Sequence, residues 1–217
     1  MNYYKENINF LIESGQLNKS LLEYGNLTEL DLLVYVAKQT NLPYSKLIDV
    51  NLKILQKCKE KKMEMLVLDV DGVLTDGGMF YTESGDEFKK FNAKDGLAIR
   101  KLTKSGFPVG IISSGFNQTI IQRRADLLGI QHVYLGTKEK LEILESWCRE
   151  LSISVDAVAY IGDDINDEQL MKDVGFSVCP ADAVLEIRQM ADLVLSKKGG
   201  KACVREFIDH YLFSGDD

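Results

Sequence analysis

Asp69 and Asp71 stand two positions apart, directly after the apolar run Met65-Leu66-Val67-Leu68 and directly before Gly72. Such a run reads as a buried strand, and residues two apart in a strand start on a common face. Two carboxylates that close repel each other unless a cation lies between them, and hard oxygen ligands suit Mg2+. A surface loop that happens to be acidic is the alternative for this stretch alone. A second cluster weighs against it: Asp163, Asp164 and Asp167 follow Tyr160-Ile161-Gly162, again at the end of an apolar run. Two strand ends of one parallel sheet, each delivering acids, make a metal site with ligands from separate loops. Between the clusters come Ser113 and Ser114, a hydroxyl pair after Ile111-Ile112, and Lys140 at the opening of an amphipathic stretch. A hydroxyl donor and an ammonium beside an acid-bound cation are what the equatorial oxygens of a phosphoryl group need.

The elements that must hold these groups are legible in the apolar pattern. Strands are expected at 65–68, 109–112, 133–135, 158–161, 176–178 and 193–195. Between them, helical periodicity covers about 96–105, 119–128, 138–151, 167–174 and 183–189. Strand–helix alternation with almost wholly apolar strands predicts a parallel sheet covered on both faces. Residues 80–91 interrupt the rhythm, with short stretches flanking Ser84-Gly85-Asp86, and predict a β-hairpin. Before residue 63 the pattern is purely helical. Thr28 is placed to cap one helix, Asn41-Leu42-Pro43 to end it, and Ser45 to cap another that carries Leu47, Ile48, Leu52, Ile54 and Leu55. A shorter helix is expected around residues 7–14. The fold class is therefore α/β: a Rossmann-like parallel sheet, a projecting hairpin and a small all-helical N-terminal extension.

Charge divides the chain at the same place. Residues 1–62 hold nine Lys and seven Asp or Glu, giving +2, so the remainder carries −9 of the total −7. The solvated run Lys57–Lys62 suits a boundary between packed units, and the organisation expected is an extension over 1–62 and a domain over 63–217. A net charge of −7 disfavours nucleic-acid binding, which draws on phosphate neutralisation. No run of eighteen apolar residues crosses a membrane, and the opening residues lack a secretory pattern. Cys58, Cys148, Cys179 and Cys203 are far apart with no C-x-x-C pair, which fits reduced thiols and a cytoplasmic location. With only His132 and His210, a histidine-rich zinc site or a histidine triad is a poor fit, and both histidines and Trp147 read as packing or surface residues.

Taken in order, LVLDVDGVLTD at 66–76, IISS at 111–114, Lys140 and GDDIND at 162–167 resemble the haloacid dehalogenase-like phosphohydrolases. More narrowly, the chain is similar to the capless branch that dephosphorylates 3-deoxy-2-keto sugar acids. Thr75-Asp76-Gly77-Gly78, Phe88-Lys89-Lys90-Phe91-Asn92, Lys94-Asp95-Gly96 and the tail Gly199-Gly200 through Val204-Arg205-Glu206 carry that likeness, over about residues 64–212. The resemblance implies Asp69 as a nucleophile forming an aspartyl-phosphate and Asp71 as general acid and then base. It implies Mg2+ on the Asp69 and Asp163 carboxylates and the Asp71 carbonyl, with Asp164 and Asp167 orienting ligands or waters. Lys140 would balance charge on nucleophile and phosphate, and Gly72 with Ser113 or Ser114 would contact the phosphoryl group. Here Ser113-Ser114-Gly115 departs from the Thr-Gly-Arg or Thr-Gly-Glu of relatives, so the charged specificity residue is replaced by Gly115 or Phe116.

The resemblance further implies a phosphorylated sugar acid as substrate, an eight-carbon octulosonate 8-phosphate before a nonulosonate (sialic acid-type) 9-phosphate. It also implies a homotetramer in which each hairpin covers a neighbour's site, a use for the apolar Phe80, Tyr81, Phe88 and Phe91. Gly199, Gly200 and Arg205 either approach the substrate or form a plain turn and a surface ion pair. Residues 1–62 lie outside the resemblance. Helix, turn and helix there suggest a DNA reader, but +2 without arginine makes a poor phosphate-binding face, and docking or oligomerisation is the better reading. A non-catalytic scaffold of the same fold is the rival from another class, and intact Asp69, Asp71, Lys140 and Asp163 argue against it.

Overall fold

The computed structural model of the chain describes residues 2–18, 28–114 and 118–212. Two compact units divide it, residues 1–60 and 61–217. The first contains α1 (Tyr4–Glu13), α2 (Glu29–Thr40), α3 (Tyr44–Asp49) and α4 (Leu52–Glu60). Thr28 caps α2 reciprocally: its hydroxyl accepts from the Asp31 amide at 3.2 Å, and its own amide donates to Asp31 Oδ2 at 3.1 Å. Asn41, at φ 55°, ends α2 in the left-handed conformation that asparagine tolerates. The single helix expected from Ser45 to Leu55 is instead two. The first starts at Tyr44 with Pro43 as its cap, and the chain turns extended at Val50. The reason is non-local. Buried Asn7 of α1 donates to the Leu47 and Val50 carbonyls at 2.9 and 2.7 Å and accepts from the Leu52 amide at 2.9 Å. One amide side chain thus satisfies the backbone groups that the break leaves open.

The second unit is built on a six-stranded sheet. Its strands are β1 (Met65–Leu68), β4 (Val109–Ser113), β5 (His132–Leu135), β6 (Val158–Ile161), β7 (Phe176–Cys179) and β8 (Leu193–Val194). They run in the order β5-β4-β1-β6-β7-β8, every pairing parallel. β1 is central, with β4 on one side and β6 on the other, so strand order reverses there. The crevice outside the carboxyl ends of these strands is where such sheets bind ligands. Leu68 pairs with both Ile111 and Ile161, so β1 and β6 end level and β4 runs two residues further, to Ser113.

β1 is buried at all four positions, which is why it reads as an unbroken apolar run. Met65, Val67, Val158 and Tyr160 share one core cluster with Leu144 and Cys148 of α7 (Lys140–Leu151), Leu170 and Met171 of α8 (Glu168–Asp173) and Ile187 of α9 (Leu185–Met190). Leu66 and Leu68 face the other side, where α5 (Ala93–Lys104) contacts β4, α6 (Gln118–Leu128) contacts β5, and Phe176 stacks on Phe207 at 6.2 Å. Phe207 belongs to α10 (Cys203–Phe207), a five-residue helix absent from the sequence expectation. It is held from a distance, since the Arg205 amide donates to Asp95 Oδ1 of α5 at 2.7 Å.

The hairpin forms as expected, β2 (Phe80–Tyr81) against β3 (Glu87–Phe88), turned by Gly85 at φ 88°. Phe80, Tyr81 and Phe88 are exposed. Phe91 is not part of that exposed face: it is half-buried, with the Arg124 guanidinium 5.2 Å from its ring. His132 and Trp147 pack together with ring centroids 5.4 Å apart, and the four cysteines are buried thiols that form no disulfide with one another. Among the described residues, no helix is long and apolar enough to cross a membrane.

Candidate active site

The amide of Asp69 extends the β1–β6 ladder by donating to the Ile161 carbonyl at 3.0 Å. The chain then closes one wide turn over Val70–Leu74, with the Thr75 amide on the Val70 carbonyl at 2.9 Å. Inside it Gly72 sits at φ 86°, and a Cβ there would stand 1.9 Å from Asp163 Oδ2. Only a residue without a side chain lets the two acidic loops meet.

Asp69 is buried, and so is Lys140 at the head of α7. Lys140 Nζ lies 3.1 Å from Asp69 Oδ1, 2.5 Å from Asp167 Oδ1 and 3.2 Å from the Tyr160 hydroxyl. Tyr160 in turn donates to Asp167 Oδ1 at 2.5 Å, and Asp167 Oδ2 accepts from the amides of Asp163 and Asp164 at 2.8 and 3.3 Å. Asp167 is therefore fully engaged, tying Lys140, Tyr160 and the second acidic loop together. Asp164 is exposed and caps the turn that follows it, accepting from the Ile165 amide at 2.7 Å.

Carboxylate oxygens of Asp69, Asp163 and Asp167 all lie within 4.8 Å of one another. Asp163 Oδ1 is buried with no hydrogen-bond partner. Burial pushes Asp69 up to about 7, reinforced by Asp167 and opposed by Lys140. Burial likewise pushes Asp163 up to about 8, with Asp69, Asp167 and Asp164 adding repulsion. Three crowded acids against one ammonium leave negative charge that a cation must offset, and an orphaned buried oxygen is an open ligand position. These residues fit a hard divalent cation.

Asp71 does not join that trio through its side chain. Its carboxylate is held by Lys89 Nζ at 2.6 and 2.8 Å, and Lys89 also meets Glu87 at 2.9 Å. Ser113, at the end of β4, is buried and Ser114 is exposed; both line the same cavity as Asp69, Asp71 and Asp163. That cavity measures about 860 Å³, and Met79, Tyr81 and Gly85 of the chain's own hairpin region contribute to its wall. Gly115 and Phe116 lie outside the described residues.

The tail glycines pack against the Gly72 loop. A Cβ on Gly199 would stand 1.8 Å from the Gly72 carbonyl oxygen, and the Gly200 amide donates to the Val73 carbonyl at 2.9 Å. Arg205 pairs with Asp209, four residues further on and beyond the end of α10. Of the two readings offered for this segment, the turn and the surface pair match the placement.

Lys89, Glu87 and Tyr160 carry no role in the sequence reading. Tyr160 hides in an apolar strand as a core residue. Lys89 and Glu87 had a signal, opposite charges two apart in a strand and so on one face.

A sequence profile described as haloacid dehalogenase-like hydrolase matches residues 116–208. The 3-deoxy-D-manno-octulosonate 8-phosphate phosphatase KdsC of Escherichia coli strain K12 is 39% identical over 156 residues, 72% of this chain and 82% of that enzyme. The crystal structure of the Yersinia pestis 3-deoxy-D-manno-octulosonate 8-phosphate phosphatase superposes with a TM-score of 0.69 at 38% identity, covering 73% of this chain and 84% of that one. The Moraxella catarrhalis enzyme, in complex with magnesium ion, phosphate ion and KDO, gives a TM-score of 0.69 at 34% identity, covering 74% and 90%.

Proposed function

This chain belongs to the haloacid dehalogenase-like hydrolases and is a phosphatase of that family, and on that footing we propose that it hydrolyses 3-deoxy-D-manno-octulosonate 8-phosphate through an aspartyl-phosphate on Asp69. The observation that carries the reading is the convergence of Asp69, Asp163 and Lys140, with one Asp163 oxygen left without a partner. Mg2+ would be held by the Asp69 and Asp163 carboxylates and the Asp71 carbonyl, and when bound it neutralises charge on the phosphoryl oxygens.

In the first half of the reaction an Asp69 oxygen bonds to phosphorus as the bond from phosphorus to the sugar oxygen breaks. The departing oxygen keeps the electron pair and takes a proton from the Asp71 carboxyl. In the second half a water oxygen bonds to phosphorus, the bond to Asp69 breaks, and the water's proton passes to Asp71. Lys140 balances the charge of Asp69 throughout, and Asp167 and Tyr160 fix its position. Ser113 or Ser114, with Gly72, receives the phosphoryl oxygens. Hydrolysis of phosphate monoesters is so slow unaided that a barrier reduction of roughly 20 kcal/mol is required, which asks for the cation, the lysine and the covalent step together.

Residues 1–62 serve docking or oligomerisation in this account, and the exposed Phe80, Tyr81 and Phe88 suit a homotetramer contact. The test of substrate is phosphate release from a panel of eight- and nine-carbon keto-acid phosphates, with Mg2+ and with EDTA. Metal-dependent release favouring the octulosonate supports the proposal. Preference for a nonulosonate 9-phosphate overturns the choice of sugar, and absence of release overturns the activity.

A further inference from the structure

We propose that Lys89 is a positioning residue that holds the Asp71 carboxylate for the half of the reaction in which water attacks the phosphoenzyme. The inference rests on the reading of Asp69 as nucleophile and Asp71 as acid and base.

An ammonium has three N–H donors. Those of Lys89 have three carboxylate acceptors: Asp71 Oδ1 at 2.6 Å, Asp71 Oδ2 at 2.8 Å and Glu87 Oε1 at 2.9 Å. The Lys89 side chain is only 5% exposed, which leaves it no free donor to offer a substrate. Burial works against its charge, yet the hydrogen bonds it donates to the Asp71 and Glu87 carboxylates hold its pKa above the ordinary lysine value.

The Thr75 hydroxyl adds a hydrogen bond to Asp71 Oδ1 at 3.1 Å. Two donors therefore anchor Oδ1, while Oδ2 has Lys89 alone and keeps acceptor capacity for a water. An aspartate turns freely about its last torsion unless neighbours fix it. Lys89 and Thr75 fix it here from two segments, one from the hairpin arm and one from the loop that carries Asp71. Because Glu87 and Lys89 lie two apart on β3 and the residue after it, they share a face, and Phe88 between them is exposed. The hairpin thereby sets the geometry of a catalytic carboxylate with its polar face while its apolar face stays outside.

Water attack needs a base aimed at the water, whereas release of p-nitrophenolate needs no proton. The experiment is rapid-mixing hydrolysis of p-nitrophenyl phosphate by the full chain with Mg2+, comparing wild type, Lys89→Met, Lys89→Arg and Asp71→Asn. For Lys89→Met the expected loss in kcat is about 10–100-fold, the scale of a misplaced catalytic group. KM is expected to change by less than about twofold, and a nitrophenolate burst close to one per active site should appear. Asp71→Asn should give the same signature, and Lys89→Arg should recover most of the turnover. A raised KM with kcat unchanged would make Lys89 a substrate contact. Unchanged kinetics, or a lower kcat without a burst, would also overturn the proposal. If Lys89→Met fails to fold, Glu87→Gln decides: a smaller burst in the same direction supports the coupling and wild-type kinetics refute it. A wild-type chain that releases no phosphate from any monoester overturns the phosphatase chemistry itself, and the proposal with it.

Discussion

The carboxylate of Asp163 lies directly on Gly72, so closely that a Cβ at Gly72 would stand 1.9 Å from Asp163 Oδ2. The atoms that would clash are those of a proposed metal ligand. Gly72→Ala is therefore expected to displace the Asp163 carboxylate, lowering turnover by about 100-fold and raising the Mg2+ concentration needed for half-maximal activity. A Mg2+ titration of both proteins checks this, and an unchanged titration would show that the contact is not what holds Asp163 in place.

The raised carboxyls give the metal-free protein a defined pH dependence. In the unfolded chain Asp69 and Asp163 lose their protons near pH 4, about the ordinary aspartate value. Folded, they hold them to about 7 and about 8, and Asp95, raised to about 6 by burial, adds the same sign. The native state thus binds more protons between pH 4 and pH 8, and unfolding free energy falls as pH rises through that window. With EDTA, Tm should decline from pH 5 to pH 8. Added Mg2+ should raise Tm more at pH 8 than at pH 5, because ligation needs ionised carboxylates. An equal gain at both values would contradict the assignment.

Ser113 ends β4 and Ser114 follows it, and the two differ in exposure, Ser113 being buried and Ser114 exposed. Ser113→Ala and Ser114→Ala should accordingly differ, with the larger rise in KM or fall in kcat marking the donor to the phosphoryl group. The expected loss at the donor is about 10–100-fold, somewhat below that of a full oxyanion donor. Steady-state kinetics on one substrate decide between them, and equal, small effects would remove both.

Deleting residues 1–62 should leave the residues of the catalytic cavity in place and change the mass of the assembly in solution. Light scattering coupled to gel filtration, with turnover per active site measured in parallel, checks both. Complete unfolding of the remainder would show that the extension is part of the core.

Much of the architecture was readable because the central strands are buried on both faces. Runs such as Met65–Leu68 and Val158–Ile161 need no polar residue and show none except the Tyr160 phenol. What escaped depends on partners far away in sequence. The break between α3 and α4 is stabilised by Asn7, more than forty positions earlier, and α10 is capped by Asp95, 110 positions before Arg205. No local pattern carries either relationship. The acidic clusters are legible from their place after strands, whereas the ammonium facing Asp71 is not, because Lys89 sits in a hairpin whose apolar residues point to a subunit contact. Tyr160 was missed for the opposite reason, since a tyrosine within an apolar run looks like core until its hydroxyl is seen to meet Asp167 and Lys140.

The most direct test of the account is where the phosphoryl group goes. Enzyme turning over octulosonate 8-phosphate with Mg2+ is quenched in acid, digested and examined by mass spectrometry. The account predicts one added phosphoryl group on the peptide containing Asp69, absent from Asp69→Asn, which also loses turnover while keeping its thermal transition. Phosphate release that proceeds with Asp69 unmodified, or that survives Asp69→Asn, would contradict it.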